Sequence, residues 1–135
     1  MVIVAADTSL AVAAFATWHE KHLPARAALA AGLSLVDHCA LETYSVLTRL
    51  PPPHRAPAAI ARDYLAAQFS GPFLRLSAGA YRRFVIGLAE LGVAGGGAWD
   101  ALVAATALAH EAEIVSCDPR AARVYERCGL PVRTL

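Results

Sequence analysis

The sequence predicts an α/β fold of three layers, α/β/α, built on a central and mostly parallel sheet of about five strands. Short apolar runs alternate along the chain with longer stretches that have the apolar spacing of helices, which is typical of a parallel sheet covered by helices. The runs also lack a polar face, as expected of strands that are buried on both sides. At 135 residues, we expect a single domain that spans residues 1–135.

The predicted strands are short, and two of them end directly before an aspartate. In chain order they cover residues 2–6, 33–36, 72–76, 113–117 and 130–134. Asp7 follows the first strand and Asp118 follows the fourth. Because ligands of such sheets bind beyond the carboxyl ends of the strands, both carboxylates are predicted at the ligand-binding edge.

The predicted helices fill the intervals and are delimited by capping and breaking residues. They cover residues 10–17, 20–31, 57–69, 99–110 and 119–128, with one more helix that carries Leu41, Tyr44, Leu47 and Leu50 and another that runs to Leu91. Ser9, Asp37 and Ser77 are the predicted N-caps, because their short polar side chains can accept a bond from a free helix amide. Gly32 is predicted to end the second helix, and the prolines at 51–53 end the third.

The composition is unusually apolar for a protein of this size. Hydrophobic residues make up 57% of the chain and charged residues 17%, with a mean hydropathy of +0.45. We therefore expect part of the apolar surface to be covered by a partner. The net charge of +1 neither favours nor excludes a polyanionic ligand.

The cysteines and the N-terminus indicate a cytoplasmic location. Cys39, Cys117 and Cys128 form an odd, widely spaced set without a CxxC motif, which predicts free thiols in a reducing compartment. The first residues lack the basic segment of a signal peptide, and Asp100 interrupts the most apolar stretch before it reaches membrane-spanning length. We expect no association with a membrane.

Four carboxylates lie in apolar surroundings where an isolated charge would be costly. They are Asp7, Glu42, Asp100 and Asp118. Glu42 falls in the second turn of the helix after the second strand, and Asp100 in the first turn of the helix before the fourth. All four can therefore reach one edge of the sheet, where they would converge around a divalent cation.

Each of these residues also has an ordinary interpretation. Taken singly, an aspartate after a strand can be a loop residue, and an acid in a first helical turn is favoured by the helix dipole. Arg120, Arg123 and Arg127 fit either an exposed helix face or contacts with phosphate groups. Trp99, next to Asp100, is predicted to serve packing rather than base stacking.

Four motifs together resemble the PIN-domain family, specifically the VapC-type toxins of bacterial toxin–antitoxin pairs. The motifs are Asp7-Thr8-Ser9, Glu42 within residues 40–44, Asp100 within residues 98–107, and Ser116-Cys117-Asp118. The resemblance extends over the whole chain. Its one departure is Ser116, where the family more often has threonine, and the hydroxyl is retained.

The resemblance implies a metal-dependent endoribonuclease whose catalytic and metal-binding residues are the four acids. Asp7 and Asp100 would be direct ligands of Mg²⁺, with Mn²⁺ able to substitute, while Glu42 and Asp118 would support them. The hydroxyls of Thr8, Ser9 and Ser116 are candidates for holding the carboxylates in place.

The resemblance also implies three kinds of partner. These are an RNA substrate, a second copy of the chain in a homodimer, and a VapB-type antitoxin that joins a toxin–antitoxin hetero-oligomer. The C-terminal segment of the antitoxin would block a groove near the site. Candidate surfaces for the groove and for the dimer contact are residues 10–18, 41–50 and 64–69.

Three other functions compete with a toxin. A PIN nuclease could process RNA without an antitoxin, and a degenerate PIN domain could act as a non-catalytic binding module. Retention of all four acids is evidence against the second of these. A phosphorylated receiver domain would need a lysine near its last strands, and the only lysine is Lys21.

Overall fold

The computed structural model describes residues 2–135 and confirms an α/β fold with a central parallel sheet. Within these residues the sheet has four strands, in the order β2-β1-β3-β4, and every neighbouring pair is parallel. The strands are β1 Val4–Ala6, β2 Ser34–Leu35, β3 Glu113–Ser116 and β4 Val132–Thr134. The chain first places β2 on one side of β1 and later adds β3 and β4 on the other.

Seven helices connect the strands of the described chain. They are α1 Thr8–Phe15, α2 His22–Ala30, α3 Asp37–Arg49, α4 Ala58–Gln68, α5 Ala78–Gly87, α6 Gly97–Ala109 and α7 Pro119–Arg127. Parallel crossovers are right-handed, so the reversal of strand order at β1 places α1 and α2 on one face of the sheet and α6 and α7 on the other. The switch point between β1 and β3 is where such sheets open a crevice.

The prediction of a strand at residues 72–76 was wrong. Only one residue of this segment joins the sheet, through a parallel bridge between Leu74 and Val36. The Leu74 amide donates to the Leu35 carbonyl at 2.9 Å, and the Leu74 carbonyl accepts from the Asp37 amide at 2.9 Å. Pro72 has no amide hydrogen with which to extend this pairing, so the segment makes a single contact at the edge of the sheet.

The first and third helices begin differently from the prediction. Asp7, not Ser9, caps α1: its Oδ1 accepts from the Leu10 amide at 3.1 Å, and Ser9 lies inside the helix. Asp37 is the first residue of α3 rather than its cap. Ser77 does cap α5, since its Oγ accepts from the Ala80 amide at 3.1 Å.

Other helix boundaries also differ. Helix α1 ends at Phe15 rather than residue 17, α2 begins at His22 rather than residue 20, α5 ends at Gly87 rather than Leu91, and α6 begins at Gly97 rather than residue 99. No helix in residues 2–135 is both long and apolar enough to cross a bilayer.

Small side chains dominate the core and bring the helices close to the sheet. Ala13, Ala104 and Ala107 are fully buried, next to larger buried residues such as Leu10 and Ile114. A second, smaller cluster forms between α3 and α4 around Leu47, Ala56 and Ala61. Alanine removes less apolar surface from water than leucine does, so this core relies on close packing of backbones as well as on side-chain area.

We expect Tyr64→Phe to lower the free energy of unfolding by about 1 kcal/mol, as is usual when one hydrogen bond is lost. The Tyr64 hydroxyl of α4 donates to the Ala11 carbonyl of α1 at 2.7 Å, while the ring packs edge-on against Phe15 and would stay in place. Urea denaturation measures the change. The control is Tyr44→Phe, whose hydroxyl has no hydrogen bond to residues 2–135; equal stability of both variants would contradict the prediction.

Candidate active site

Asp7 is a buried carboxylate at the switch point, with 2% of its surface exposed. Its Oδ1 accepts from the Ser9 hydroxyl at 2.6 Å and from the Leu10 amide at 3.1 Å. Its Oδ2 accepts from the Ser116 hydroxyl at 2.7 Å and from the Tyr125 hydroxyl at 2.9 Å. The donors come from α1, from the end of β3 and from α7, so Asp7 links both ends of the chain.

The electrostatic balance at Asp7 favours a nearby positive charge. Burial raises the pKa of its carboxyl group, and the hydrogen bonds from Ser116, Ser9, Leu10 and Tyr125 oppose that rise without cancelling it. Burial and the charge of Asp7 raise the pKa of Tyr125 as well, so the phenol remains a donor. A cation would offset the cost of keeping Asp7 ionised.

All four predicted acids line one small cavity of about 70 Å³. Asp7 lies at its buried end, and the Glu42 side chain, 44% exposed, extends from α3. Asp100 reaches the cavity from the first turn of α6, and Asp118 from the end of β3. The topology thus brings together residues that are far apart in sequence.

The acids line the cavity without surrounding a common point. Among residues 2–135, no group of three or more histidine, cysteine or carboxylate side chains is arranged as ligands of one ion. Like charges repel, which favours separation of the four carboxylates. The donor chemistry nevertheless fits a hard divalent cation, because every carboxylate offers oxygen.

Asp100 and Asp118 differ in their surroundings. Burial raises the pKa of Asp100, and the charges of Asp118, Asp7 and Glu42 raise it further, while His38 lowers it. Asp118 caps α7: its Oδ1 accepts from the amides of Arg120 at 2.9 Å and Ala121 at 3.4 Å. The side chain of Asp118 is therefore held in place by backbone amides, whereas the pKa of Asp100 depends on the neighbouring charges.

Two of the three predicted supporting hydroxyls contact the acids. Ser9 and Ser116 both donate to Asp7, and their oxygens lie 3.2 Å apart. Ser116 also accepts from the Asp118 amide at 3.1 Å, so one hydroxyl orders two acids. Thr8 lines the cavity, but its hydroxyl bonds to none of the acids.

Sequence reasoning missed Tyr125 and His38 as components of the site. Tyr125 lies 118 positions from Asp7 in sequence, and no local pattern signals that contact. His38 is one turn before Glu42, with 3.8 Å between Nε2 and Oε2, and it stacks on Trp99 with ring centres 4.9 Å apart. The predicted packing of Trp99 is only half right, because the residue is 56% exposed.

The cysteines and the arginines of α7 make neither disulfides nor ion pairs within residues 2–135. The three cysteines are free, and burial raises the pKa of Cys39 to about 12 and that of Cys117 to about 11, so both thiols are protonated at neutral pH. Arg120, Arg123 and Arg127 form an exposed row on α7 and pair with no acid of the described chain.

Comparison with known proteins identifies the family. The sequence model of the PIN domain matches residues 4–127. Ribonuclease VapC40 of Mycobacterium tuberculosis (strain ATCC 25618 / H37Rv) is 49% identical over 130 residues, which cover 96% of this chain and 97% of that protein. The chain belongs to the VapC branch of the PIN-domain family.

Two other proteins resemble this VapC chain. Ribonuclease VapC27 of the same strain is 38% identical over 96% of the chain and 94% of that protein. The crystal structure of VapBC2 from Rickettsia felis bound to a DNA fragment from their promoter aligns with a TM-score of 0.66 over 99% of both chains. At 15% identity, that likeness supports the fold alone.

We expect Asp100→Asn to raise the melting temperature of this VapC chain in EDTA at neutral pH. The pKa of Asp100 is higher in the folded protein than in the unfolded chain, so ionisation of Asp100 lowers stability as pH rises through that raised pKa. The asparagine side chain cannot ionise, so the variant keeps the stability that wild type loses. Its higher melting temperature relative to wild type should disappear below about pH 4, where the carboxyl group of Asp100 is protonated in both the folded and the unfolded state.

Differential scanning fluorimetry between acidic and neutral pH measures the effect. The matched control is Glu113→Gln, an exposed acid at the opposite end of β3, which should shift the melting temperature little. A lower melting temperature for Asp100→Asn than for wild type at neutral pH would contradict the electrostatic interpretation.

Proposed function

We propose that this chain is an endoribonuclease that uses Mg²⁺ to hydrolyse RNA phosphodiester bonds, and that it is the toxic component of a type II toxin–antitoxin pair. One observation carries the proposal: a buried Asp7, held by hydrogen bonds at the switch point, shares its cavity with three further carboxylates. The ribonuclease names of the VapC relatives support the same reaction.

Asp7 and Asp100 would hold the metal directly, and Glu42 and Asp118 would support it through water or orient the attacking water. When bound, Mg²⁺, or Mn²⁺ in its place, supplies Lewis-acid stabilisation of phosphate charge and lowers the pKa of water. Asp7 and Asp100 have raised pKa values without a cation, so both would gain from its charge.

The hydrogen bonds of Asp7 set how it can act as a ligand. A carboxylate has about four lone-pair sites, and the Asp7 oxygens accept from four donors. The Leu10 amide is fixed by the helix, but the hydroxyls of Ser9, Ser116 and Tyr125 can rotate. We infer that one hydroxyl turns away to release a lone pair while the others keep the carboxylate in position.

The exposed apolar surface supports protein partners. Leu23, Ile86 and Leu91 are each at least 66% exposed, and contact with a partner would remove their apolar surface from water. We propose a homodimer and a VapB-type antitoxin that together form a hetero-oligomer, with a C-terminal antitoxin segment blocking the site. The alternatives remain an RNA-processing PIN nuclease without an antitoxin and a non-catalytic binding module.

We expect induced expression of wild type to arrest growth and to create a discrete set of new RNA 5′ ends. Asp7→Asn should remove both effects, while Glu113→Gln should behave like wild type. Sequencing of RNA 5′ ends and growth curves measure the outcome. Co-expression of the adjacent reading frame should restore growth; cleavage without such rescue favours the RNA-processing nuclease, and no cleavage favours the binding module.

We expect Ser116→Ala to weaken Mg²⁺ binding by about 10- to 100-fold, the usual cost of removing a group that orients a metal ligand. Ser116→Thr retains the hydroxyl and should bind like wild type. Isothermal titration calorimetry with Mg²⁺ on metal-free protein reports binding independently of activity. Equal affinities for the alanine variant and wild type would remove Ser116 from this role.

A further inference from the structure

Beside the acid cavity lies a second, open groove of about 470 Å³. The two spaces share His38 and Trp99, so the stacked pair forms the wall between them. Arg75, from the bridge segment, and Tyr81, from α5, also line the groove. The groove therefore adjoins the site proposed to act on RNA.

Trp99 presents an unusual aromatic surface at this position. One face of the indole lies on the His38 ring with an interplanar angle of 4°, and the residue remains 56% exposed. The stack covers one face of the indole and leaves more than half of the residue exposed. A flat aromatic surface held in this way is a platform on which an unpaired nucleobase can stack.

Apolar residues line part of the groove, and three further groups in it suit a nucleotide. Tyr81 is 49% exposed and adds a second aromatic surface, and Arg75 is exposed and pairs with no acid of the described chain. Asp37 also lines the groove and can accept a hydrogen bond from the amino group of a base. An aromatic platform beside a free guanidinium matches a base and its phosphate.

We propose that Trp99 stacks with the nucleobase next to the scissile phosphate of a single-stranded RNA, and that the groove between Trp99 and Tyr81 is the subsite for that nucleotide. The inference rests on the proposed ribonuclease activity and assigns it a substrate-binding residue. RNA is favoured over a protein segment because the groove adjoins the acid cavity and the platform is flat and aromatic.

Binding to a short fluorescein-labelled single-stranded RNA of random sequence tests the assignment by fluorescence anisotropy. All variants carry Asp7→Asn to prevent cleavage, and circular dichroism checks their folding. A second series uses the same substitutions in a chain that retains Asp7, measured in EDTA. Trp99→Leu should raise Kd by about 5- to 140-fold, the range for loss of one base–aromatic stack. Trp99→Phe should lie between Trp99→Leu and the reference.

Trp18→Leu is the matched control, because Trp18 is 50% exposed and also contacts a histidine ring, that of His54 at a tilt of 40°, but lines neither space. It should bind RNA like the reference. In a Trp18→Phe background Trp99 is the single tryptophan, and the same RNA without its label should quench its fluorescence. Double-stranded RNA should bind equally to Trp99→Leu and the reference, since its bases are already stacked.

The outcomes separate this inference from the proposed function. Unchanged RNA binding by Trp99→Leu, with RNA cleavage by the wild type intact, overturns the subsite and leaves the nuclease standing. If Trp99→Leu binds RNA normally but no longer binds the antitoxin, the groove is a protein-docking site, and this result also overturns the nucleotide subsite. No RNA binding or cleavage by any form of the protein overturns both.

Discussion

The burial of the Asp7 carboxylate is the constraint on which the rest of the structure depends. A charge this deeply buried is tolerated only if its oxygens are satisfied, and four hydrogen bonds from α1, β3 and α7 do so. The same bonds hold the end of β1 against the end of β3. The hydrogen bonds that position the side chains of the site therefore also hold the sheet together.

The strand order explains why this constraint produces a site rather than only a stable core. Because β1 is flanked by β2 on one side and β3 on the other, the helices that follow these strands diverge at its carboxyl end. Glu42 and Asp100 are carried to the resulting crevice by α3 and α6. The flat His38–Trp99 pair then bounds the crevice on its exposed side.

The sequence was sufficient to predict the α/β architecture and the convergence of the four acids on one cavity, because strand ends and helix starts are encoded locally. It was insufficient wherever the outcome depends on contacts made elsewhere. Residues 72–76 have a strand-like composition but reach only one bridge. Asp7 rather than Ser9 caps α1, and the Ser9 hydroxyl donates to Asp7 instead of accepting from a helix amide. Tyr125 could not be predicted, since its contact with Asp7 exists only once α7 packs against β3 and β4.

The dependence of Asp7 on Ser116 and Tyr125 has a consequence for biosynthesis. Asp7 precedes Ser116 by 109 positions and Tyr125 by 118, so two of its hydrogen-bond partners are synthesised long after it. A nascent chain can form α1 and α2 early but cannot complete the acid cavity until α7 has emerged from the ribosome. Chains whose synthesis has not yet passed Tyr125 therefore lack an assembled cavity.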